Sequence, residues 1–284
     1  MTKKTVLITG ATSGLGRATA HGMARLGYRV IVGGRSERRC EKVVEEIRAA
    51  SGNDDIDAVT CPLSSLHYVN HAADIVLEKC DRLDVLINNA ATLLQSRRTT
   101  HDGLEATFMV NYLAPFMLTL RLLDRLKASA PARILNISSR THQRADGLNF
   151  DDLQSQNSYA PFDGAFVRSK LALTMFTYAL ARRLEGTGVT ANCVDPGFFR
   201  TALSDSRAAP LYVKLLRPLL LSTPEYAAET VVHAADSDAY ASVTGICIGR
   251  DGEVATSDAS HDRETQTRLW DVSMELAALP RGAD

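Results

Sequence analysis

The sequence offers little support for an extracellular, metal-binding or nucleic-acid-binding protein. Its five cysteines are an odd number without short spacing, so we expect buried single thiols and neither a disulfide framework nor a zinc site. A formal net charge of −1 gives no global attraction to nucleic acid or to an anionic membrane. Apolar runs of about ten residues are too short for a bilayer, and no signal-peptide pattern opens the chain. We therefore expect a cytoplasmic protein with no metal, no membrane span and no nucleic-acid partner.

Apolar runs alternate with helical patterns along all 284 residues, which suits one large domain. The runs lack polar alternation, so strands buried on both faces are expected, and helical crossovers between them predict a parallel sheet. Right-handed crossovers then give a doubly wound, Rossmann-type α/β fold. No linker or repeat divides the chain, so residues 1–284 are interpreted as a single domain. The expected strands are residues 5–8, 29–32, 56–60, 85–87, 133–137, 189–194 and 245–248.

Two long stretches, residues 140–164 and 198–222, do not follow this alternation. Loops of that length in a compact domain are usually functional, and both should follow strands at the carboxyl edge of the sheet, where ligands bind. The apolar residues of 198–222 predict a pocket for a lipophilic small molecule, although they equally suit packing against the core or a partner subunit in a homo-oligomer. Residues 261–279 predict one amphipathic C-terminal helix that carries Trp270, the only tryptophan.

A glycine-rich turn follows the first expected strand and precedes the first helix. Gly10 would permit the tight turn, Gly14 a close approach of the backbone to a pyrophosphate, and Gly16 close packing of helix on strand. The helix N-terminus would add free N–H groups and a positive dipole end. A glycine triplet in this strand–turn–helix position is a strong signal for a dinucleotide. The expected phosphate contacts are Gly10, Thr12, Ser13, Gly14, Leu15 and Gly16.

Arg35 follows the second expected strand, where the ribose of a bound dinucleotide would lie. An acidic residue there would bind a 2′-hydroxyl, whereas an arginine suits a 2′-phosphate. The sequence therefore favours NADP(H) over NAD(H). An exposed arginine in a turn is the alternative interpretation, and Arg38 and Arg39 could share the role.

Several motifs resemble those of the short-chain dehydrogenase/reductase family over residues 4–252. The run Thr-Gly-x-x-x-Gly-x-Gly at 9–16 is similar to the family's phosphate loop, and Asn-Asn-Ala at 88–90 is similar to its fourth-strand motif. The segments at 149–155 and 180–190 look most like the retinol-dehydrogenase-like branch, whose members act on lipophilic alcohols and aldehydes. The further cofactor contacts that the resemblance implies are Leu63, Asn89, Ala90, Lys170, Pro196, Gly197 and Thr201.

Three residues match catalytic positions of that family. Ser139 matches the catalytic serine at the end of the fifth strand, and Lys170 matches the lysine that holds the nicotinamide ribose. Asn111 matches the asparagine that anchors a water in the proton relay. The resemblance therefore implies an NADP(H)-dependent oxidoreductase.

Phe166 occupies the position where the family has a tyrosine, four residues before the lysine. That tyrosine passes a proton to or from the substrate oxygen, and phenylalanine keeps the ring but not the acid. Because general acid–base catalysis contributes about 10²–10⁴-fold, ordinary carbonyl reduction would be strongly impaired. Pro62 and Ala91 also depart from the family pattern and predict weaker cofactor binding. The three departures together favour natural divergence over a single engineered change.

Other groups could supply the missing proton. His142 lies three residues after the serine, and Tyr159 lies in the loop that enters the lysine's helix, where loop packing is its simpler role. Lys170 could act through water ordered by Asn111. Three functions stay open: hydride transfer to a lipophilic carbonyl, enone or alcohol with an atypical proton donor, non-redox cyclisation, dehydration or isomerisation in the same pocket, and a catalytically silent nucleotide-binding scaffold.

Overall fold

A single eight-stranded sheet forms the centre of the computed structural model, which describes residues 3–197, Phe199 and residues 222–279. The strand order is β3-β2-β1-β4-β5-β6-β7-β8, and all neighbours are parallel except the final pair. The strands are β1 (Thr5–Ile8), β2 (Arg29–Gly34), β3 (Ile56–Thr60), β4 (Val85–Asn88), β5 (Ala132–Ile137), β6 (Val189–Val194), β7 (Cys247–Gly249) and β8 (Gly252–Glu253).

Helices connect the parallel strands and cover both faces of the sheet. A π-helical turn, Met109–Leu113, joins two of them into one continuous helical run, and a second π-helical turn, Pro161–Phe166, leads into another. The helices are α1 (Gly14–Arg25), α2 (Glu37–Ser51), α3 (Leu66–Lys79), α4 (Ala106–Phe108), α5 (Ala114–Ala128), α6 (Val167–Arg183), α7 (Pro224–Asp236), α8 (Asp258–His261) and α9 (Arg263–Leu276).

The doubly wound fold is confirmed, with the strand order reversing between β1 and β4. Ile8 at the end of β1 pairs with Val32 on one side and with Ile87 on the other. Chain direction therefore brings the carboxyl ends of β1, β4 and β5 to the same edge of the sheet, where the crevice of such a fold binds ligands. The antiparallel β8 was not expected, since two residues carry no readable pattern.

The core has two apolar layers, one on each face of the sheet. Successive residues of a strand point to opposite faces, so Leu7 packs in one layer while Val6 and Ile8 pack in the other. This is why the buried strands read as continuous apolar runs. The cysteines are free and buried, which confirms their interpretation as single buried thiols.

The C-terminal helix expected over about residues 261–279 is present as α9, Arg263–Leu276, and the short helix α8 that precedes it was not expected. The chain forms the short helix α8 and then α9, with a break at Asp262. The Asp262 carboxylate accepts a hydrogen bond of 3.1 Å from the amide of Glu264 and caps α9, which a helix interior would not allow. Trp270 does lie on the buried face of α9, with its ring centroid 5.2 Å from that of Phe116.

The two stretches that break the alternation differ in what the structure describes of them. Residues 140–164 contain two 3₁₀ turns, Arg140–Arg144 and Phe150–Asp152, and the start of the second π-helical turn. Of residues 198–222, only Phe199 and Ser222 are described, and they form a parallel bridge. The apolar pocket expected there therefore lies outside the described residues.

One helical run in the described part of the chain, Ala106–Ala128, is long and apolar enough to cross a membrane by length and composition. Core helices pass the same test, and 78% of its most apolar window is buried inside the protein. The expectation that the chain has no membrane span therefore stays a prediction.

Candidate functional site

The glycine turn between β1 and α1 lies at the strand-order reversal and packs against the residues that follow β4. Gly10 has a φ of +67°, and a Cβ there would stand 2.8 Å from the Cα of Ala90. A Cβ on Gly16 would stand 2.3 Å from the Nδ2 atom of Asn89. No larger residue fits either place without moving backbone or amide groups, so both glycines are required by close approach.

Asn89 holds this turn in place. Its Nδ2 atom donates to the carbonyl oxygens of Thr9 at 2.8 Å and Gly10 at 3.3 Å. The hydroxyl of Thr9 in turn accepts from the amides of Asn89 and Ala90 at 3.0 and 3.1 Å. The segment after β4 would therefore contribute to dinucleotide binding indirectly, by fixing the shape of the glycine turn.

The open side of the turn has the properties of a phosphate site. Gly14 has a φ of +51°, and a Cβ there would meet no atom within 4 Å. Ser13 precedes α1 without capping it through its side chain, and the first turn of α1 has no acidic residue. The helix N-terminus is thus accessible to an anion beside Thr12, while Leu15 anchors the helix in the core. These residues fit a pyrophosphate.

Arg35 lies beside this turn at the end of β2. A Cβ on Gly34 would stand 2.5 Å from the Cγ2 atom of Thr12, so the strand end and the glycine turn are in direct contact. The side chains of Arg35, Arg38 and Arg39 are exposed, and within the described ranges no acidic group pairs with any of them. Three free guanidinium groups are therefore available to a phosphate at this point.

The residues after β3 contribute backbone, not side chains. Cys61 continues the pairing with β2 through a 2.7 Å hydrogen bond from its amide to the carbonyl of Gly34. Pro62 is partly exposed, whereas the side chain of Leu63 is buried in the core. Any contact from Leu63 to a ligand would therefore come from its main chain.

Lys170 lies on α6 directly over the end of β5. Its Nζ atom donates to the carbonyl oxygen of Ile137 at 2.7 Å, and the residue is 3% exposed. Burial lowers the pKa of Lys170 to about 8. Ser139, two residues beyond Ile137, is half-buried at the same edge. The structure therefore brings the expected serine and lysine to one strand end.

Asn111 joins this cluster through the residue before the lysine. Its Nδ2 atom donates to the hydroxyl of Ser169 and to the carbonyl of Thr92, both at 3.0 Å. Its Oδ1 atom accepts from the amide of Thr92 at 2.7 Å. The side chain of Asn111 thus connects α6 to the loop after β4. If Asn111 binds the water of a proton relay, it would do so through its backbone.

Phe166 shares a helical face with Lys170, one turn earlier. Its ring stacks on that of Phe162 with centroids 5.7 Å apart, and the Nζ atom of Lys170 lies 5.9 Å from its centroid. Phe166 is 8% exposed. An aromatic ring thus lies beside the lysine, but it offers no proton.

The hypothesis that His142 supplies the proton is not supported by its contacts. Its Nδ1 atom lies 2.6 Å from the carbonyl oxygen of Ser139, and its Nε2 atom accepts from the amide of Ser257 at 3.4 Å. Burial lowers the pKa of His142, so the neutral ring carries its proton on Nδ1, where the backbone already accepts it. The ring is 1% exposed and serves to join two loops.

The hydroxyl of Tyr159 is likewise engaged, by the segment that follows β4 and by α4. Its hydroxyl donates to the carbonyl oxygen of Leu94 at 3.0 Å and lies 3.4 Å from that of Thr107. Burial raises the pKa of Tyr159 above its ordinary value. These contacts fit the packing role.

An ion pair that the sequence interpretation missed links the two loops after β5 and β6. The Nε atom of Arg140 donates to the Oδ2 atom of Asp195 at 2.7 Å, and the Oδ1 atom of Asp195 accepts from the amide of Gly197 at 3.1 Å. The carboxylate therefore holds the turn of Pro196 and Gly197 against the residue next to Ser139. Thr201, expected near the carboxamide, lies outside the described residues.

Neither a metal-ligand cluster nor a surface cleft elsewhere in the described residues rivals this edge as a binding site. The described residues contain no group of three potential metal ligands. A cleft of 490 Å³ lies at the opposite, amino edge of the sheet and is lined by charged side chains that include Lys3 and Arg82. Those two pair with Asp55 and Asp84 at 2.5 and 2.6 Å, so their charges are already compensated.

Comparison with known proteins agrees with this geometry. A family model described as short chain dehydrogenase matches residues 4–211. Human retinol dehydrogenase 14 is 41% identical over 293 residues, covering 97% of this chain and 87% of that protein. Human polyprenol dehydrogenase is 38% identical over 284 residues, covering 97% and 86%. The Pseudomonas aeruginosa RhlG/NADP active-site complex is similar with a TM-score of 0.71 and 25% identity, over 90% of this chain and 96% of that one.

Proposed function

Because the chain belongs to the short-chain dehydrogenase family, we propose that it transfers a hydride between NADP(H) and a lipophilic carbonyl, enone or alcohol. The observation that carries this proposal is the position of Ser139 and Lys170 at one strand end, beside the glycine turn. Retinol and polyprenol, which name two relatives, are both lipophilic alcohols. A lipophilic small molecule is likewise proposed as the substrate here.

The preference for NADP(H) is proposed from the charges at the end of β2. Arg35, Arg38 and Arg39 are exposed and form no ion pair within the described ranges, so a 2′-phosphate would find free donors there. The similar RhlG structure is a complex with NADP. A cofactor with a plain 2′-hydroxyl would leave these charges unused.

The cofactor, when bound, supplies or accepts the hydride, and the chain supplies position and polarity. Gly10 to Gly16 would hold the pyrophosphate, and Lys170 would bind the nicotinamide ribose through Nζ. The hydroxyl of Ser139 would donate a hydrogen bond to the substrate oxygen. These groups are fixed by α6 and by the ends of β1 and β5, so little reorganisation is needed.

We propose that Phe166 replaces the proton donor that members of this family use. The ring of Phe166 has no acid, and the nitrogens of His142 and the hydroxyl of Tyr159 are engaged by backbone carbonyls and an amide. A substrate whose accepting carbon is already activated, such as an enone, needs less help from an acid. Conjugate reduction is therefore the reaction that this site fits best.

The test compares the parent protein with Phe166→Tyr, using NADPH and NADH with apolar aldehydes and enones. We expect the parent to reduce enones with NADPH in preference to NADH. Phe166→Tyr should gain aldehyde reduction by about 10²–10⁴-fold because it restores the acid. Phe162→Tyr is the matched control, since it adds a hydroxyl to the neighbouring ring of the stack without restoring the donor position.

Two outcomes would count against this function. If the parent and Phe166→Tyr both bind NADPH but neither oxidises it with any of the aldehydes and enones tested, hydride transfer is excluded. If the parent converts a lipophilic substrate without consuming NADPH, the site performs non-redox chemistry.

A further inference from the structure

Thr141 makes both hydrogen bonds that the hydroxyl oxygen of Ser139 accepts. The amide of Thr141 donates to Ser139 Oγ at 3.3 Å, and the Oγ1 atom of Thr141 donates to it at 3.0 Å. Both residues lie at the start of the 3₁₀ turn Arg140–Arg144, directly after β5. The serine oxygen is therefore held by its own local turn.

These two bonds decide which way the serine hydroxyl can act. A hydroxyl has two acceptor lone pairs and one proton. With both lone pairs engaged by Thr141, the oxygen can accept nothing more, and its proton is left to be donated. Within the part of the chain that the structure describes, no group accepts that proton, and the residue is half-exposed at the sheet edge.

We propose that Thr141 is a positioning residue that fixes Ser139 as a pure hydrogen-bond donor toward the substrate oxygen. This inference rests on the proposed function, because it assigns the direction of a hydrogen bond in the same site. A donated bond from Thr141 also polarises the serine O–H, since hydrogen bonds in a chain strengthen one another. Because Phe166 supplies no proton, the hydrogen bond from Ser139 would stabilise negative charge on that oxygen.

The side-chain bond can be removed without removing the turn. Every residue except proline keeps the amide donor at position 141, but only threonine and serine supply a hydroxyl on Cβ. The 2.6 Å contact of His142 with the Ser139 carbonyl and the ion pair of Arg140 remain in every variant. Thr141→Val keeps the branched shape and loses the donor, and Thr141→Ser restores the donor.

The first measurement is steady-state turnover of an enone with NADPH. We expect Thr141→Val to lower kcat about 5- to 10-fold, the effect of one hydrogen bond, with little change in the KM for NADPH. Thr141→Ser should restore kcat to within about two-fold of the parent. Equal kcat in all three proteins, or failure of serine to rescue, would overturn the proposal.

A second measurement does not depend on hydride transfer. In Ser139→Cys, the thiolate would accept both bonds from Thr141, so its pKa should be lower than in the double variant Ser139→Cys with Thr141→Val. The pH profile of alkylation by iodoacetamide measures both values. Identical profiles would exclude the bond to the serine position. A lower pKa without any enone turnover would instead reject the proposed function and retain the hydrogen-bond geometry.

Discussion

The ammonium group of Lys170 is the clearest electrostatic cost in the site. It is buried with a single carbonyl acceptor among the described residues, that of Ile137, and no carboxylate is bonded to it. One neutral hydrogen bond does not replace the hydration of an ammonium ion. Folding of the cofactor-free protein therefore disfavours the protonated form of Lys170, and for this reason the pKa of Lys170 is lowered.

This cost predicts a pH dependence of stability. The pKa of Lys170 falls from its ordinary 10.5 to about 8 on folding, so between these values the unfolded chain holds a proton that the folded protein has released. The free energy of unfolding should therefore rise with pH across this window, by on the order of 3 kcal/mol. Urea unfolding of the cofactor-free protein at pH 7 and pH 10 measures it.

The control is Lys170→Met, which removes the titrating group and keeps an unbranched side chain one atom shorter. The difference in unfolding free energy between the parent and this variant isolates Lys170, because other groups titrate in both proteins. A difference that stays flat from pH 7 to pH 10 would show that the ammonium is solvated in the folded protein.

The site depends on the loops after β5 and β6, which the ion pair of Arg140 and Asp195 connects. β5 and β6 pair from Ala132 with Val189 to Ile137 with Val194, so the residues that follow each strand emerge side by side. Arg140 and Asp195 exploit that register. The carboxylate is 3% exposed, whereas the guanidinium is 56% exposed.

This asymmetry predicts the order of two substitutions. Asp195→Asn keeps an acceptor for the Gly197 amide and removes the buried charge, whereas Arg140→Met leaves that charge without its partner. We expect Arg140→Met to lower the free energy of unfolding by about 1–3 kcal/mol and Asp195→Asn to lower it less. Urea unfolding of both variants and of the double variant gives the coupling energy. If Asp195→Asn is the more damaging, the carboxylate is stabilised by its hydrogen bonds and not by the arginine.

Local sequence patterns predicted the strands and the glycine turn. They could not predict hydrogen bonds between residues that are far apart in the sequence. Continuous apolar runs identified the parallel strands, and the glycine spacing located the turn that Asn89 holds. The short helix α8 was missed because its four residues are too few to show an amphipathic period, although Asp262 after it is a common type of helix cap. One of the two hydrogen-bond partners of His142 is the amide of Ser257, 115 residues further along the chain, which no local pattern indicates.

In the whole molecule, α9 covers the face of the sheet that carries α6, the helix of Lys170. Trp270 packs against Phe116 of α5 and Phe176 of α6, with ring centroids 5.2 and 5.8 Å away. The hydroxyl of Tyr112, next to Asn111, lies 2.6 Å from that of Ser273 on α9. The chain's own tail therefore covers helices that lead directly into the site.

Removal of this contact should destabilise the whole domain, since Trp270 belongs to the same apolar layer as the strands. We expect Trp270→Ala to lower the free energy of unfolding by about 3–5 kcal/mol. Thr267→Ala, on the exposed side of α9, is the matched control and should change it by no more than about 0.5 kcal/mol. Circular dichroism during urea unfolding measures both variants.

In the parent, the fluorescence of this single tryptophan should change at the same urea concentration as the circular dichroism, because α9 and the sheet belong to one cooperative core. An earlier fluorescence transition would mean that α9 detaches before the sheet unfolds, and the tail would then be a separate unit laid on the domain.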